Sequence, residues 1–345
     1  MLLPYYTGKA ENHHETKPAS LPVSRRTEHT KASGYRPDSG LVDAVNVALI
    51  LAQPLLLTGE PGTGKTQLAY SVSWELGYGD PLVFETKSTS VARDLFYTYY
   101  ILGRFHAAQL KMGSPNELDY ITYNALGKAI LRANSKEAVQ SLLPDGFEHN
   151  GPRRSVVLID EIDKAPRDFP NDLLNEVDNM QFKIPELGLT DKPIVAPDDM
   201  RPILIITSNS EKHLPDAFLR RCIYYDIPFP TRERLIEIVE SRIERFKGST
   251  GNGSRTRLMQ GALDFFFTLR RLGDSLRKQP ATAELLGWLT YLTEMGAKAD
   301  DDIRGHAQIV RQGLSTLVKS AQDQEIAKQE LEEWLKRIGH DDPGI

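Results

Sequence analysis

The sequence contains one cysteine, Cys222, so no disulfide can form within the chain, and a reducing, cytoplasmic setting fits. It has no basic excess. The formal net charge is −5 and the pI is near 6.0, so bulk charge does not point to nucleic acid, although a local basic surface stays open. No stretch approaches the ~18 apolar residues of a membrane helix. The opening "MLLPYYTGKAENHHETK" has no long apolar core and does not read as a secretory signal. His13 and His14 are adjacent but lack spaced partners, so they read as solvated rather than as metal ligands. No internal repeat is visible. These absences leave a soluble internal protein without membrane contact as the expectation.

With 345 residues the chain is long enough for two domains. Its 40% hydrophobic and 26% charged content are those of a globular protein. Residues 1–34 are polar and aperiodic and read as a flexible arm. Leu41, Val45, Ala48, Leu49 and Ala52 then recur at helical spacing. Five apolar runs suit strands: one at Leu55–Leu57, then 81–88, 154–161, 201–209 and 222–230. Helical or mixed segments separate them, so the alternation predicts a parallel sheet with helices on both faces. After Thr231, a candidate helix cap, no convincing strand follows. Residues 231–329 read as a smaller helical domain, interrupted by a connector at 249–257. Residues 330–345 read as a C-terminal helix and tail.

The first chemical signal is "GEPGTGKT". Gly59, Gly62 and Gly64 allow backbone angles that side chains forbid. Such a loop can curl its N–H groups around one anion. Lys65 adds a point charge, Thr66 adds a hydroxyl suited to magnesium, and Gln67 opens a helix whose N-terminus favours negative charge. The spacing G-x-x-x-x-G-K-[ST] is that of a phosphate-binding P-loop. The phosphate-binding candidates are therefore Gly59, Glu60, Pro61, Gly62, Thr63, Gly64, Lys65, Thr66 and Gln67.

The second signal is "SVVLIDEIDKAP". In an α/β sheet, ligands bind at the carboxyl ends of strands, which places Asp160 beside the P-loop as a magnesium ligand with Thr66. Glu161 is then the candidate to polarise the attacking water, and Asp163 reads as structural. "ILIITSNSE" ends another apolar strand in Thr207, Ser208 and Asn209, and the Asn209 amide is placed to orient that water. "LPDAFLRR" supplies Arg220 and Arg221, guanidinium groups suited to stabilising a transferred phosphoryl.

In this order the segments resemble Walker A, Walker B, sensor 1 and the arginine finger of AAA+ ATPases. The closest likeness is to MoxR-type proteins, over residues 35–325. It rests on "YRPDSGLVDAVNVALILAQPLLLTGEPGTGKT" and on "ATAELLGWL" further along. The resemblance implies an αβα nucleotide-binding domain over 35–230. A helix-2 insert is expected near 100–152 and a hairpin before sensor 1 near 180–202, with a helical lid behind. It further implies ATP as substrate, Mg2+ as cofactor, and a ring of about six subunits with the nucleotide at their boundaries. The partner it implies is a protein client or a protein with a von Willebrand A domain. One departure is plain: Ala283 stands where related lids carry an arginine, sensor 2, leaving Arg277 or Lys278 as substitutes. Two rival readings stay open, a nucleic-acid motor and a nucleotide-dependent assembly switch. The stretch 94–105, "DLFYTYYILGRF", holds five aromatics; it reads first as a core-packed helix and second as a grip on polypeptide in a pore.

Overall fold

The protein is described from a computed structural model covering residues 31–109, 116–210, 214–247 and 256–340. Contacts divide it into two units, 37–229 and a second made of 31–36 with 230–340. The 37–229 unit runs α1 (Ser39–Leu51), β1 (Leu55–Gly59), α2 (Lys65–Glu75), β2 (Leu82–Glu85), β3 (Tyr97–Tyr99) and α3 (Ile101–Gln109). It continues with β4 (Ile121–Tyr123), α4 (Ala125–Ala133), β5 (Val156–Asp160), β6 (Gln181–Ile184), β7 (Leu189–Val195), β8 (Ile203–Thr207) and β9 (Ile223–Ile227).

The five apolar runs of the sequence form one parallel sheet in the order β2-β5-β8-β1-β9. Successive strand residues point to opposite faces. Leu55, Leu56 and Leu57 in β1, and Val156 to Ile159 in β5, are all buried, so both faces of the central strands are covered. β2 and β9 alternate between half-buried and exposed residues, as edge strands do. α1 packs on β1 and β9, α2 on β5, β1 and β8, and α4 on β2 and β5. Asp38 caps α1 by accepting from Leu41 N at 2.9 Å, and it also accepts from the Tyr225 hydroxyl at 2.5 Å. The start of α1 is thereby tied to β9.

Two small antiparallel sheets are added to this frame, β3–β4 and β6–β7. Phe96 stacks on Phe182 at 5.3 Å, and Tyr97 and Tyr123 each lie 6.3 Å from the same ring. Tyr97 OH donates to Glu186 at 2.7 Å, and burial with that bond pushes its phenol well above the usual range. The two additions are therefore pinned to each other.

The structure corrects several expectations. The 94–105 stretch is not one core helix. Leu95, Phe96 and Tyr97 enter the core through a helical turn and β3, while Tyr100, Ile101, Leu102 and Phe105 on and beside α3 stay exposed. The 100–152 stretch is not wholly an insert, because α4 lies on the main sheet. Residues 31–34, expected as the end of a flexible arm, are packed: Lys31 O accepts from Arg242 Nη1 at 2.5 Å and Gly34 O from Ser241 Oγ at 2.9 Å. The rest of that arm lies outside the described residues, as do most of the 249–257 connector and the end of the tail. No helix among the described residues is long and apolar enough to cross a membrane.

In the second unit, helices Arg232–Arg242, Arg257–Arg271, Thr282–Glu294 and Ala321–His340 enclose their own core. Residues 330–340 continue the last helix, whose Ala327, Leu331 and Trp334 are buried at helical spacing. Trp334 meets Phe265 at 5.3 Å, so the boundary expected at 329/330 falls inside one packed element. Thr231 caps the first of these helices by accepting from Arg234 N at 3.3 Å. Asp323 is fully buried and accepts from Arg277 N at 2.8 Å and Lys278 N at 3.3 Å. That fixes the turn carrying both cations, whose side chains are exposed. In the sheet unit, Cys222 just before β9 is largely enclosed, and burial pushes its thiol up to about 12.

Gly127 on α4 tests the packing of the additions against the sheet. A Cβ there would lie 2.0 Å from Phe96 O. Gly127→Ala is expected to destabilise the protein by about 1–3 kcal/mol, read as a lower urea midpoint. Gly287→Ala, in open space on a helix, is expected to be neutral or to stabilise by up to about 1 kcal/mol.

Candidate active site

β1 ends in the P-loop, and its backbone explains its glycines. Gly59, Gly62 and Gly64 have φ of 133°, 81° and 94°, angles that side chains rarely tolerate. Gly59 has a second constraint, because a Cβ there would meet Ile227 O at 2.6 Å. Lys65 is folded back, donating from Nζ to the carbonyls of Gly59 at 2.6 Å and Glu60 at 3.1 Å. Burial pushes its ammonium below the ordinary value, while Asp163, Asp160, Glu161 and Asp226 pull it back up. Lys65 and Lys164 thus stand among four carboxylates, a surplus of negative charge suited to a hard cation.

The sheet order brings the rest together. β8 lies between β5 and β1, with Leu57 paired to Thr207 and Ile159 to Ile206. Thr207 therefore stands between Asp160 and the P-loop. Asp160 Oδ1 accepts from Thr66 Oγ1 at 2.9 Å and from Thr207 Oγ1 at 2.7 Å. Glu161 N donates to the same Thr207 hydroxyl at 2.8 Å. Glu161 itself is left-handed, at φ 55° and ψ 53°. Among the described residues two other non-glycines have positive φ, Ala52 and Met180, and each terminates a helix. Glu161 instead leaves a strand, at a cost on the order of 1–3 kcal/mol that the Thr207 bond helps to offset. Lys164, one turn on, pairs with the Glu161 carboxylate, which holds its ammonium above the ordinary value.

Asp163 secures the end of β8. Its Oδ1 accepts from Asn209 N at 3.1 Å, and its Oδ2 lies 3.5 Å from Asn209 Nδ2. On the other side of β1, the buried Thr58 donates to Asp226 Oδ1 at 2.7 Å. Its only proton is then spent, so Tyr224 OH, 2.8 Å away, must donate to it.

The sequence profile of the ATPase family associated with various cellular activities (AAA) matches residues 55–230, just over half of the chain. The chain belongs to the AAA family. It is an ATPase. A comparison with functionally curated proteins returned no match. Two solved structures are similar at a distance. A closed-state Hsp104 reconstruction with ATPγS and FITC-casein gives a TM-score of 0.42 at 17% identity, covering 78% of this chain and 46% of that one. The chain thus spans less than half the length of that Hsp104 chain. The Thermotoga maritima RuvB Holliday junction branch migration motor gives 0.40 at 15% identity, covering 83% and 69%. Likenesses this remote carry no weight on function.

Within this AAA ATPase, the structure gathers the P-loop, Thr66, Asp160, Glu161 and Asn209 at the carboxyl ends of β1, β5 and β8. Arg220 and Arg221 stand apart, after the short helix Asp216–Leu219 that precedes β9. Arg220 is exposed, whereas Arg221 is engaged by Asp178. Three residues bonded to candidate site residues escape a reading by motif. Thr207 reads only as a polar strand end, although its place at the end of an apolar run was a signal. Lys164 lies three residues from Glu161, a spacing that brings side chains together in a helical turn. Asp178 carries no local signal.

The Thr207 link is directly testable. Thr207→Val is expected to lower ATP turnover roughly 10- to 100-fold, as loss of a bond supporting a metal-ligand candidate does, while Thr207→Ser retains most of it. Steady-state phosphate release checks both, and a valine variant at the wild-type rate would remove the link from the mechanism.

Proposed function

We propose that this AAA ATPase hydrolyses ATP at the site above, assembles as a ring, and couples hydrolysis to remodelling of a protein partner in the MoxR manner. The observation that carries the reading is Asp160 Oδ1, shared by the hydroxyls of Thr66 and Thr207. It joins P-loop, acidic strand end and sensor strand into one bonded unit. The exposed apolar ridge of Tyr100, Ile101, Leu102 and Phe105 supports a polypeptide as the object of the work. A protein with a von Willebrand A domain is the partner class that the MoxR resemblance names.

The residues fit magnesium. Thr66 and Asp160 offer hydroxyl and carboxylate oxygens 2.9 Å apart, the hard donors that this ion takes, among carboxylates in excess of lysine. When bound, the ion would neutralise charge on the phosphates. Lys65 and the N–H groups of 59–66 hold those phosphates; Lys65 Nζ turns from its two carbonyls to do so. Glu161 takes the proton of the attacking water. The Glu161 carboxylate is engaged by Lys164, so it leaves that contact to reach the water. Asn209 positions the water from a main chain fixed by Asp163. Arg221, with Arg220 beside it, reaches the nucleotide of a neighbouring copy and stabilises the transferred phosphoryl.

Glu161→Gln is expected to keep ATP bound while turnover falls by about 10²- to 10⁴-fold. In light scattering, its mass is expected to rise on adding ATP and magnesium to about six subunits. A mass that stays monomeric with ATP bound would remove the self-assembled ring. Turnover raised by DNA and falling steeply with salt would favour a nucleic-acid motor instead.

A further inference from the structure

Two adjacent arginines follow the helix Asp216–Leu219, and they are held differently. Arg220 is exposed, and no side-chain hydrogen bond or ion pair fixes it among the described residues. Arg221 is held twice: its Nε donates to Asp178 Oδ2 at 2.6 Å and its Nη1 to Ala217 O at 2.8 Å. A guanidinium has five N–H donors in one rigid plane. Two are spent here, and they fix the plane; three remain at its free edge. The side chains of Arg221 and Asp178 are 42% and 41% exposed, so that edge remains accessible.

Asp178 is itself anchored. It lies near the end of the helix Leu174–Asn179, where Met180 turns left-handed at φ 44°. Arg201 Nη2 donates to the carbonyls of Val177 at 3.1 Å and Asp178 at 2.7 Å. A half-exposed ion pair adds little to stability, yet both ends of this one are built into the frame. Its effect is orientation.

We infer that Asp178 is a positioning residue for Arg221, fixing its guanidinium so that the three remaining donors present to the phosphoryl group of a nucleotide held by a neighbouring copy. The inference rests on the proposed arginine-finger reading and refines it, because the preorganised arginine is Arg221 and not Arg220. Preorganisation lowers the cost of aligning the group when charge develops on the phosphoryl. The bonds that position Arg221 come from side chains and carbonyls of its own copy; only its free edge is directed outward.

The test uses the full chain at a concentration where assembly is saturated, measuring kcat and KM for ATP, and ATP affinity in the Glu161→Gln background. Arg221→Ala is expected to lower kcat by about 10³-fold or more. Asp178→Asn is expected to lower kcat by about 10- to 100-fold with KM nearly unchanged and the thermal midpoint within about 3 °C. Asp178→Glu should recover part of the loss. The deciding variant is the double, Asp178→Asn with Arg221→Ala, expected to turn over no more slowly than Arg221→Ala alone. A double variant slower by the full Asp178→Asn factor would mean that Asp178 acts independently of Arg221, and would overturn the inference. So would a wild-type kcat for Asp178→Asn beside a crippled Arg221→Ala, which leaves the finger reading intact. If Arg221→Ala keeps its turnover, or Arg220→Ala alone loses it, the finger reading itself fails for Arg221.

Discussion

One carboxylate oxygen organises this protein. Asp160 Oδ1 takes hydroxyl protons from Thr66 at the start of α2 and Thr207 at the end of β8, and Thr207 in turn takes the Glu161 N–H. That arrangement demands that β5, β8 and β1 lie side by side, parallel, with their carboxyl ends level. A parallel sheet meets the demand only if its faces are covered, which is why the strands are almost wholly apolar until their last residue. The chemistry sits where the apolar runs stop. Polar groups there find partners in one another.

The additions to the frame follow a second logic. β3–β4 and β6–β7 are too small to stand alone. They share an aromatic cluster around Phe182 and a partly buried phenol–carboxylate bond between Tyr97 and Glu186, and they hold together as one body. The apolar ridge of α3 stands on that body, steadied by Arg104 and Tyr99 on Glu117 at 2.7 and 2.6 Å. The helix that precedes β6 carries Asp178, so a shift of this body would be felt at Arg221.

Local features were legible in the sequence and distant pairings were not. The P-loop announces itself because its glycines, lysine and threonine are contiguous, and the structure shows the left-handed angles those glycines supply. The five strands are legible because fully buried strands are apolar without alternation. Strand order is invisible to such a reading; it depends on which runs pair, and Thr207 acquires its role only once β8 is known to lie between β5 and β1. The aromatic stretch 94–105 misleads for a similar reason. Its Phe96 and Tyr97 find a core supplied by Phe182, more than eighty residues away, which no periodicity within the stretch reveals. Asp178 and Arg221 are separated by 43 residues, and an exposed aspartate has no pattern to betray it. The charges of the last helix suggest a boundary near residue 330, whereas Ala327, Leu331 and Trp334 hold the helix in the core.

The lone cysteine has a practical corollary. Cys222 follows Arg221 in the chain, and burial pushes its thiol up to about 12, so it stays protonated at neutral pH. A protonated, enclosed thiol reacts slowly with maleimides and iodoacetamides, which attack through the thiolate. A second cysteine placed on an exposed position would therefore be alkylated selectively at neutral pH without first removing the native one. The molecule comes ready for single-site fluorophore attachment, and energy transfer between labelled copies can report their approach while the residues around β9 stay as they are.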